Sequence, residues 1–254
     1  LKFHQWFGIK ILGPVSFIQK SPELLGKNLF LIGLTGCKNL NIKLKGKLKL
    51  ISGKRVESPL TKKTRPTTSK VREAIINILG SNLEEASWLD LCSGSGVMAC
   101  EALQKGVKRI LAIEKQREMA KICKRNLIDV SNTMDHSFHI EVKCKEVISF
   151  LKKGPKNEKI EFNKEYQSSE QKFDFIFLDP PYDSELYELS QELLLSNQWI
   201  KKSSTLICEC SSKSLPRIHN GWELNKEKSY GNTSLLFLTP NQALNYFDDT
   251  DSMH

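Results

Sequence analysis

No run in the 254 residues reaches the roughly 18–20 consecutive apolar side chains that a membrane-spanning helix needs. The apolar stretch Leu29–Leu34, ahead of the lipoprotein-like Leu34-Thr35-Gly36-Cys37, is shorter than the roughly 7–15 residues of a signal core. A transit-like peptide or an early start therefore fits residues 1–46 better than lipidation, and residue 1 is Leu rather than Met. Paired cysteines are also missing. Cys37, Cys92, Cys100, Cys123, Cys144, Cys208 and Cys210 form no Cys-x-x-Cys pair and meet no histidine cluster. That pattern excludes a disulfide framework and a structural zinc, and it points to a reducing, cytoplasmic compartment with no metal and no membrane partner. Acids are scarce at the front: residues 1–70 hold about fifteen Lys and Arg against Glu23 and Glu57 alone. The remainder holds about 23 against 27, so a basic front precedes a slightly acidic body within the net charge of +9. Such polarity favours a polyanion, and nucleic acid first of all.

What is present centres on Trp88–Gly96, Trp-Leu-Asp-Leu-Cys-Ser-Gly-Ser-Gly. An apolar strand carrying Asp90 runs into the Gly94-Ser95-Gly96 turn, and Val97–Leu103 follows with helical character, closing at Gly106. Strand, glycine turn and helix N-terminus make a cradle for a cofactor, because a Cβ at the turn would hold the backbone off the ligand. Val107–Ile113 reads as the next strand and ends in Glu114, about 18 residues past Gly96, where a carboxylate can accept both hydroxyls of a ribose. Helix 119–127 and strand His139–Cys144 continue the alternation, and Glu146 then falls beside an adenine edge.

Ahead of the turn, Lys45–Pro59 carries alternating Leu48 and Leu50 and a Gly53 turn, which predicts a short basic hairpin. Pro66 and a Thr67, Thr68 or Ser69 cap start a helix with Val71, Ile75, Ile78 and Leu79 on one face. Arg65, Lys70 and Arg72 are expected around its N-terminus, gripping phosphate or carboxylate. Lys152–Lys172 reads as a polar surface insertion. Phe173–Leu178 is apolar throughout, as a strand buried on both faces should be, and it stops at Asp179-Pro180-Pro181-Tyr182. Two prolines stiffen the turn and fix the Asp179 carboxylate and Pro180 carbonyl at the carboxyl edge of the sheet, with a flat ring beside them. That is a compact device for holding a planar amine. Helix 186–195, strand 205–209 and the pair 222–230 and 234–238, joined at Gly231-Asn232, complete an α/β sheet with an antiparallel edge hairpin. Residues 241–254 form an acidic tail.

In order, KLKLISGKR, TRPTTSKVREAIINIL, LDLCSGSG with EAL, AIEK, FDFIFLDPPY and SYGNTSLLFL resemble the RsmD-type bacterial 16S rRNA guanine-N2 methyltransferases. The resemblance spans about residues 47–240. It implies a class I, Rossmann-like S-adenosylmethionine-dependent fold: a seven-stranded, mostly parallel sheet with an antiparallel edge hairpin and a small basic N-terminal extension. It implies a methyltransferase domain over about 47–240, in which the basic hairpin at 47–70 is expected to bind RNA; the N-terminal extension 1–46 and the insertion 152–172 lie outside the match and gain nothing from it. It implies methylation of the exocyclic N2 of one guanine in 16S rRNA, within a small-subunit assembly particle, by a monomer. Asp90, Gly94, Ser95, Gly96, Glu114 and Glu146 are the expected cofactor contacts. Asp179, Pro180, Pro181 and Tyr182 are the expected catalytic group, and Lys47, Lys49, Lys54, Arg55, Arg65, Lys70 and Arg72 the expected RNA contacts. Cys92 stands where many methyltransferases carry glycine, and Glu146 where Asp or Asn is more usual. Three alternatives stay open on residues alone: an N6-adenine DNA methyltransferase sharing the Asp-Pro-Pro-Tyr motif, a non-catalytic rRNA-binding assembly factor, and a dinucleotide-dependent oxidoreductase, since Gly94-Ser95-Gly96 with Ala99 also fits the Gly-x-Gly-x-x-Gly/Ala fingerprint.

Overall fold

The computed structural model describes residues 46–58, 67–134, 138–160, 171–180 and 184–243. The chain divides into two units, 1–42 and 43–254, and all that follows concerns the second. Arg65, Pro181 and Tyr182, and most of the acidic tail, lie outside the described residues. Among the described residues no helix is long and apolar enough to cross a membrane.

The basic hairpin is present as β1 (Gly46–Lys49) and β2 (Arg55–Ser58), antiparallel around Gly53, whose φ of +91° suits glycine. Helix α1 (Ser69–Leu79) starts where Thr68 Oγ1 accepts from the Val71 N–H at 3.3 Å. The alternating units follow: β3 (Ser87–Leu91), α2 (Val97–Leu103), β4 (Arg109–Glu114), α3 (Arg117–Ser131) and β5 (His139–Cys144). Next come α4 (Val147–Leu151), α5 (Gly154–Asn157), β6 (Phe173–Leu178), α6 (Ser184–Ser196), β7 (Ile200–Ser211), β8 (Trp222–Tyr230) and β9 (Thr233–Pro240).

Seven strands form one sheet in the order β5-β4-β3-β6-β7-β9-β8. All pairs are parallel except those made by β9, which runs antiparallel to both β7 and β8. The central strands are apolar because both faces are covered. Alternate residues of β3 enter different cores: Trp88 packs with α1 and α2, stacked on Phe177 at 6.2 Å, while Leu89 and Leu91 face α4 and α6. On that second face Trp199 lies 4.5 Å from Phe150 and donates its indole N–H to the Leu151 carbonyl at 2.8 Å. The outer strand β8 carries exposed Glu223, Lys226, Glu227 and Lys228, which discourage pairing with another sheet edge.

Two expectations need correction. Strand β7 is twelve residues, not five, because the polar Lys201–Ser204 hid its first half. Those residues flank a register shift in which Ser204 Oγ accepts from the Lys201 N–H (2.7 Å) and donates to the Phe173 carbonyl (2.6 Å). The polar insertion is also partly core. Gly154 and Pro155 are buried in α5, Ile160 is buried, and buried Glu158 collects Lys143, Lys145 and Lys153 into one ion-paired layer. Residues 161–170 lie outside the described residues.

Candidate active site

A parallel sheet directs all its carboxyl ends to one edge, so strand order fixes the order of side chains along that edge. Here the order runs Glu146 after β5, Glu114 ending β4, Ser93-Gly94-Ser95 after β3, Asp179-Pro180 after β6, Glu209-Cys210-Ser211 in β7, and Asn232-Thr233 opening β9. All of them line one cavity of ≈ 390 Å³, within the range of about 300–1,000 Å³ common for small-molecule sites.

The β4 end is built on backbone donors. Glu114 accepts from the Gly94 N–H at 2.9 Å and from the Gln116 N–H at 2.7 Å, so its carboxylate is held over the glycine turn. The two glycines have different reasons. At Gly94 (φ +54°) an added Cβ would meet nothing within 4 Å, and the residue opens on the cavity. At Gly96 (φ +73°) a Cβ would fall 2.5 Å from Cys123 Sγ of α3. Gly96 therefore serves helix packing and, contrary to expectation, is not part of the lining. Ser95 is, and its carbonyl accepts from the buried Asn126 side chain at 2.9 Å. Cys92 stands at φ +63°, a left-handed position that is costly for a residue with a Cβ. Burial, then Glu114, Asp179 and Asp90, push its thiol up to about 12, so it is no nucleophile.

Asp90 also departs from expectation. It is 1% exposed, lies beneath the turn on the α2 face, and does not line the cavity. Neither of its oxygens has a hydrogen-bond partner among the described residues. Burial lifts its carboxyl to about 8 against the pull of the nearby Ala99 N–H, and Glu114 adds to the rise. Glu146 lines the cavity but caps α4, accepting from the Ile148 and Ser149 N–H groups at 3.0 and 2.7 Å. Desolvation is the largest single influence on it and pulls its carboxyl up, but the two backbone donors together outweigh it and hold the carboxyl below the ordinary range.

At the other end Asp179 is half-buried and Pro180 buried. Desolvation first, then Glu209 and Asp90, hold the Asp179 carboxyl well above the usual carboxylate range. The Tyr187 hydroxyl donates to the Glu209 carbonyl at 2.5 Å and fixes the strand there. Sequence reasoning missed Glu209, Gln116, Asn232 and Thr233. The last two sit in the Gly-Asn-Thr turn, which reads as a hairpin signal and nothing more.

The basic candidates separate. Lys47, Lys49, Arg55 and Lys70 are exposed, with Lys70 Nζ 5.9 Å from the Tyr230 ring centre. Lys54 is half-buried and spends its ammonium on the Asp129 carbonyl and Thr133 Oγ1 at the end of α3. Arg72 is not a surface contact at all. At 1% exposure its Nε meets Glu101 Oε1 at 2.9 Å, Nη1 the Thr67 carbonyl at 2.8 Å, and Nη2 the Lys49 carbonyl at 2.7 Å. Glu101 in turn accepts from the Ile51 N–H. Asn126 makes a second pin, exchanging bonds with both backbone groups of Glu57 while holding Ser95. The hairpin is thus tied to the same helices that carry the glycine turn.

The family model described as conserved hypothetical protein 95 matches residues 46–239. Ribosomal RNA small subunit methyltransferase D of Buchnera aphidicola (subsp. Baizongia pistaciae) is 32% identical over 188 residues, covering 71% of this chain and 86% of that protein. The protein of the same name from Haemophilus influenzae is 29% identical, covering 74% and 91%. Among solved structures, Escherichia coli yhhF superposes with a TM-score of 0.61 at 25% identity, over 77% of this chain and 99% of that one. With this match over most of its length, and with the sheet order of a class I methyltransferase, the chain belongs to the conserved hypothetical protein 95 family, that of the ribosomal RNA small subunit methyltransferase D proteins.

Proposed function

We propose that this chain transfers a methyl group from S-adenosylmethionine to the exocyclic N2 of one guanine in small-subunit rRNA. The observation that carries the reading is the single cavity shared by Gly94, Ser95 and Glu114 at one end and Asp179 and Pro180 at the other. The open space above Gly94 and the paired N–H bonds orienting Glu114 fit a nucleoside there. Glu114 would accept from the ribose hydroxyls, the Gly94-Ser95 backbone would allow close approach, and Gln116, Met119 and Glu146 would flank the purine. When bound, S-adenosylmethionine supplies an electrophilic methyl on sulfur.

Guanine N2 is a weak nucleophile because its lone pair is delocalised into the ring. The Asp179 carboxylate and the Pro180 carbonyl would accept its two hydrogens and turn the nitrogen lone pair towards the methyl, so that catalysis is mostly positioning. Tyr182, outside the described residues, is assigned the stacking face. The elevated affinity of Asp179 for a proton suits it to take the one that the amine sheds. A base in a helix would first have to swing out of its stack. Lys47, Lys49, Arg55 and Lys70 would hold the phosphates of an assembling particle, met by one copy of the chain; Arg65, outside the described residues, is assigned to the same grip. Domain bounds of 47–240 for the enzyme and 1–46 for the extension are part of the proposal.

The test is methyl transfer from labelled S-adenosylmethionine to small-subunit particles, with digestion to nucleosides. Label in N2-methylguanosine supports the reading, and Asp179→Ala should lose it while still binding S-adenosylhomocysteine. Label in N6-methyladenosine, or none, refutes it.

A further inference from the structure

Strands β6 and β7 are parallel, with Leu178 opposite Cys208, so Asp179 and Glu209 are the next two residues on adjacent strands. Neighbouring strands lie about 4.8 Å apart. The sheet therefore sets two carboxylates side by side on one cavity wall, Glu209 one methylene longer than Asp179. A single acid and a proline carbonyl are enough to hold an amine. The second acid offers a further acceptor to a donor next to that amine.

The nucleobases differ on this point. The amine of adenine lies beside ring nitrogen N1 and that of cytosine beside N3, and both of these nitrogens only accept. Guanine N2 alone is bonded to a carbon whose neighbouring ring nitrogen, N1, carries a hydrogen. A carboxylate beside an accepting ring nitrogen sets lone pair against lone pair, whereas beside guanine N1 it receives a hydrogen bond. We propose that Glu209 is the residue that selects guanine, accepting the ring N1–H while Asp179 and the Pro180 carbonyl hold the adjacent N2.

This rests on the guanine-N2 reading above and adds to it the residue that excludes adenine. Two observations support it beyond register. The Tyr187 hydroxyl fixes the Glu209 carbonyl, so the side chain leaves a rigid strand. Of the charges that raise the Asp179 carboxyl, Glu209 is the first after burial itself. Two neighbouring acids raise one another's affinity for a proton, and a base edge offering donors to both favours their charged forms.

2-Aminopurine is the discriminating probe, since it keeps the exocyclic N2 amine but has a bare acceptor at N1. Small-subunit particles are reconstituted from rRNA bearing guanine or 2-aminopurine at the methylated position, and the full chain is assayed with labelled S-adenosylmethionine. The native protein should prefer guanine by about 100-fold or more in kcat/KM, because a polar site rejects an analogue that leaves its acceptor unpaired. Glu209→Gln, whose amide can either accept or donate, should compress that ratio at least about tenfold with unchanged affinity for S-adenosylhomocysteine. A native protein that uses both bases within about threefold, or a variant that keeps the native ratio, overturns the role of Glu209. The native comparison decides even if the variant does not fold. Absence of N2-methylguanosine on the guanine particles would instead overturn the guanine reading, and this inference with it.

Discussion

Arg72→Met separates the two roles that this arginine could have. The sequence puts it beside Arg65 and Lys70 at a helix start, which reads as phosphate contact. The structure buries it against Glu101, with both side chains 2% exposed. Removing the guanidinium strands a buried carboxylate, a loss of about 3–5 kcal/mol. The Thr67 and Lys49 carbonyls lose their donors in the same step, and these losses overlap the first rather than add to it. For a domain of this size each kcal/mol moves Tm by about 2–4 °C, so the expected fall is about 6–20 °C. Thermal unfolding followed by circular dichroism measures it. Arg72→Met/Glu101→Leu should recover a large part of the loss, because an apolar pair replaces a buried ion pair at little cost. Well below Tm, the salt dependence of RNA affinity should match that of the native chain. If the single variant unfolds within about 4 °C of native, a change of no more than about 1–2 kcal/mol, and its log K against log salt slope drops by about 0.7–0.9, then Arg72 holds a phosphate and the burial argument fails.

Gly96→Ala should cost about 2–4 kcal/mol through its Cys123 clash and left-handed φ, whereas Gly94→Ala, with a left-handed φ but no clash, should cost only about 1–2 kcal/mol while weakening S-adenosylhomocysteine binding; equal effects on Tm would contradict the division of labour. Replacing Lys47, Lys49 and Arg55 by Gln should lower the RNA salt slope by about 2–3, with Lys54→Gln adding nothing further, since its ammonium is already engaged; a full extra unit from Lys54 would refute that. The Asp90 carboxyl keeps its proton up to about 8 in the fold but ionises near 3.8 when unfolded, so its contribution falls as pH rises between those values. Asp90→Asn should flatten Tm against pH over that window and leave the variant more stable than native at pH 8; parallel profiles would sink the assignment. Activity limited by ionised Asp179 should fall on the acid side at a pH well above the usual carboxylate range, and Glu209→Gln should move that limb to lower pH. Among the described residues, Asp90 beneath it, Cys92 and Cys210 beside it and Tyr187 on α6 are further titratable neighbours, and none is altered by that change.

What could be read from the chain follows a physical divide. Strands β5 and β6 match their expected bounds residue for residue. Strand β6, covered on both faces and closed by prolines, announces itself in composition, whereas β5 is a half-exposed strand at the sheet edge. The glycine turn, Glu114 and Asp179 were legible because each sits at a strand end, where spacing along the chain translates into position on the sheet edge. Arg72, Glu101 and Asn126 were not. A buried charge or amide looks like a surface one until its partner is known, and apart from Thr67 the partners of these three lie 23 to 69 residues away. The start of β7 was lost for the opposite reason: a bulge lets polar side chains leave the sheet while the backbone stays paired.

Glu209 belongs to a third kind. Its strand was expected and its residue type was in plain view, yet nothing within ten residues marks it. Its meaning comes from the parallel register that sets it beside Asp179, thirty positions earlier in the chain. A sheet edge reads out sequence by strand order, not by distance along the chain, so the groups that chemistry must bring together are the ones that local patterns separate. The same edge explains why the hairpin is pinned as it is. Arg72 and Asn126 tie β1 and β2 to α2 and α3, the helices on either side of the glycine turn. A hairpin free to pivot would deliver RNA without register to a pocket whose acceptors are rigid. Two buried polar pins would hold the surface proposed to meet phosphates in a fixed relation to the wall proposed to meet the base. By this argument Asn126→Ala should lower kcat/KM more than it lowers RNA affinity, whereas a loss confined to affinity would show that the pin only holds the hairpin folded.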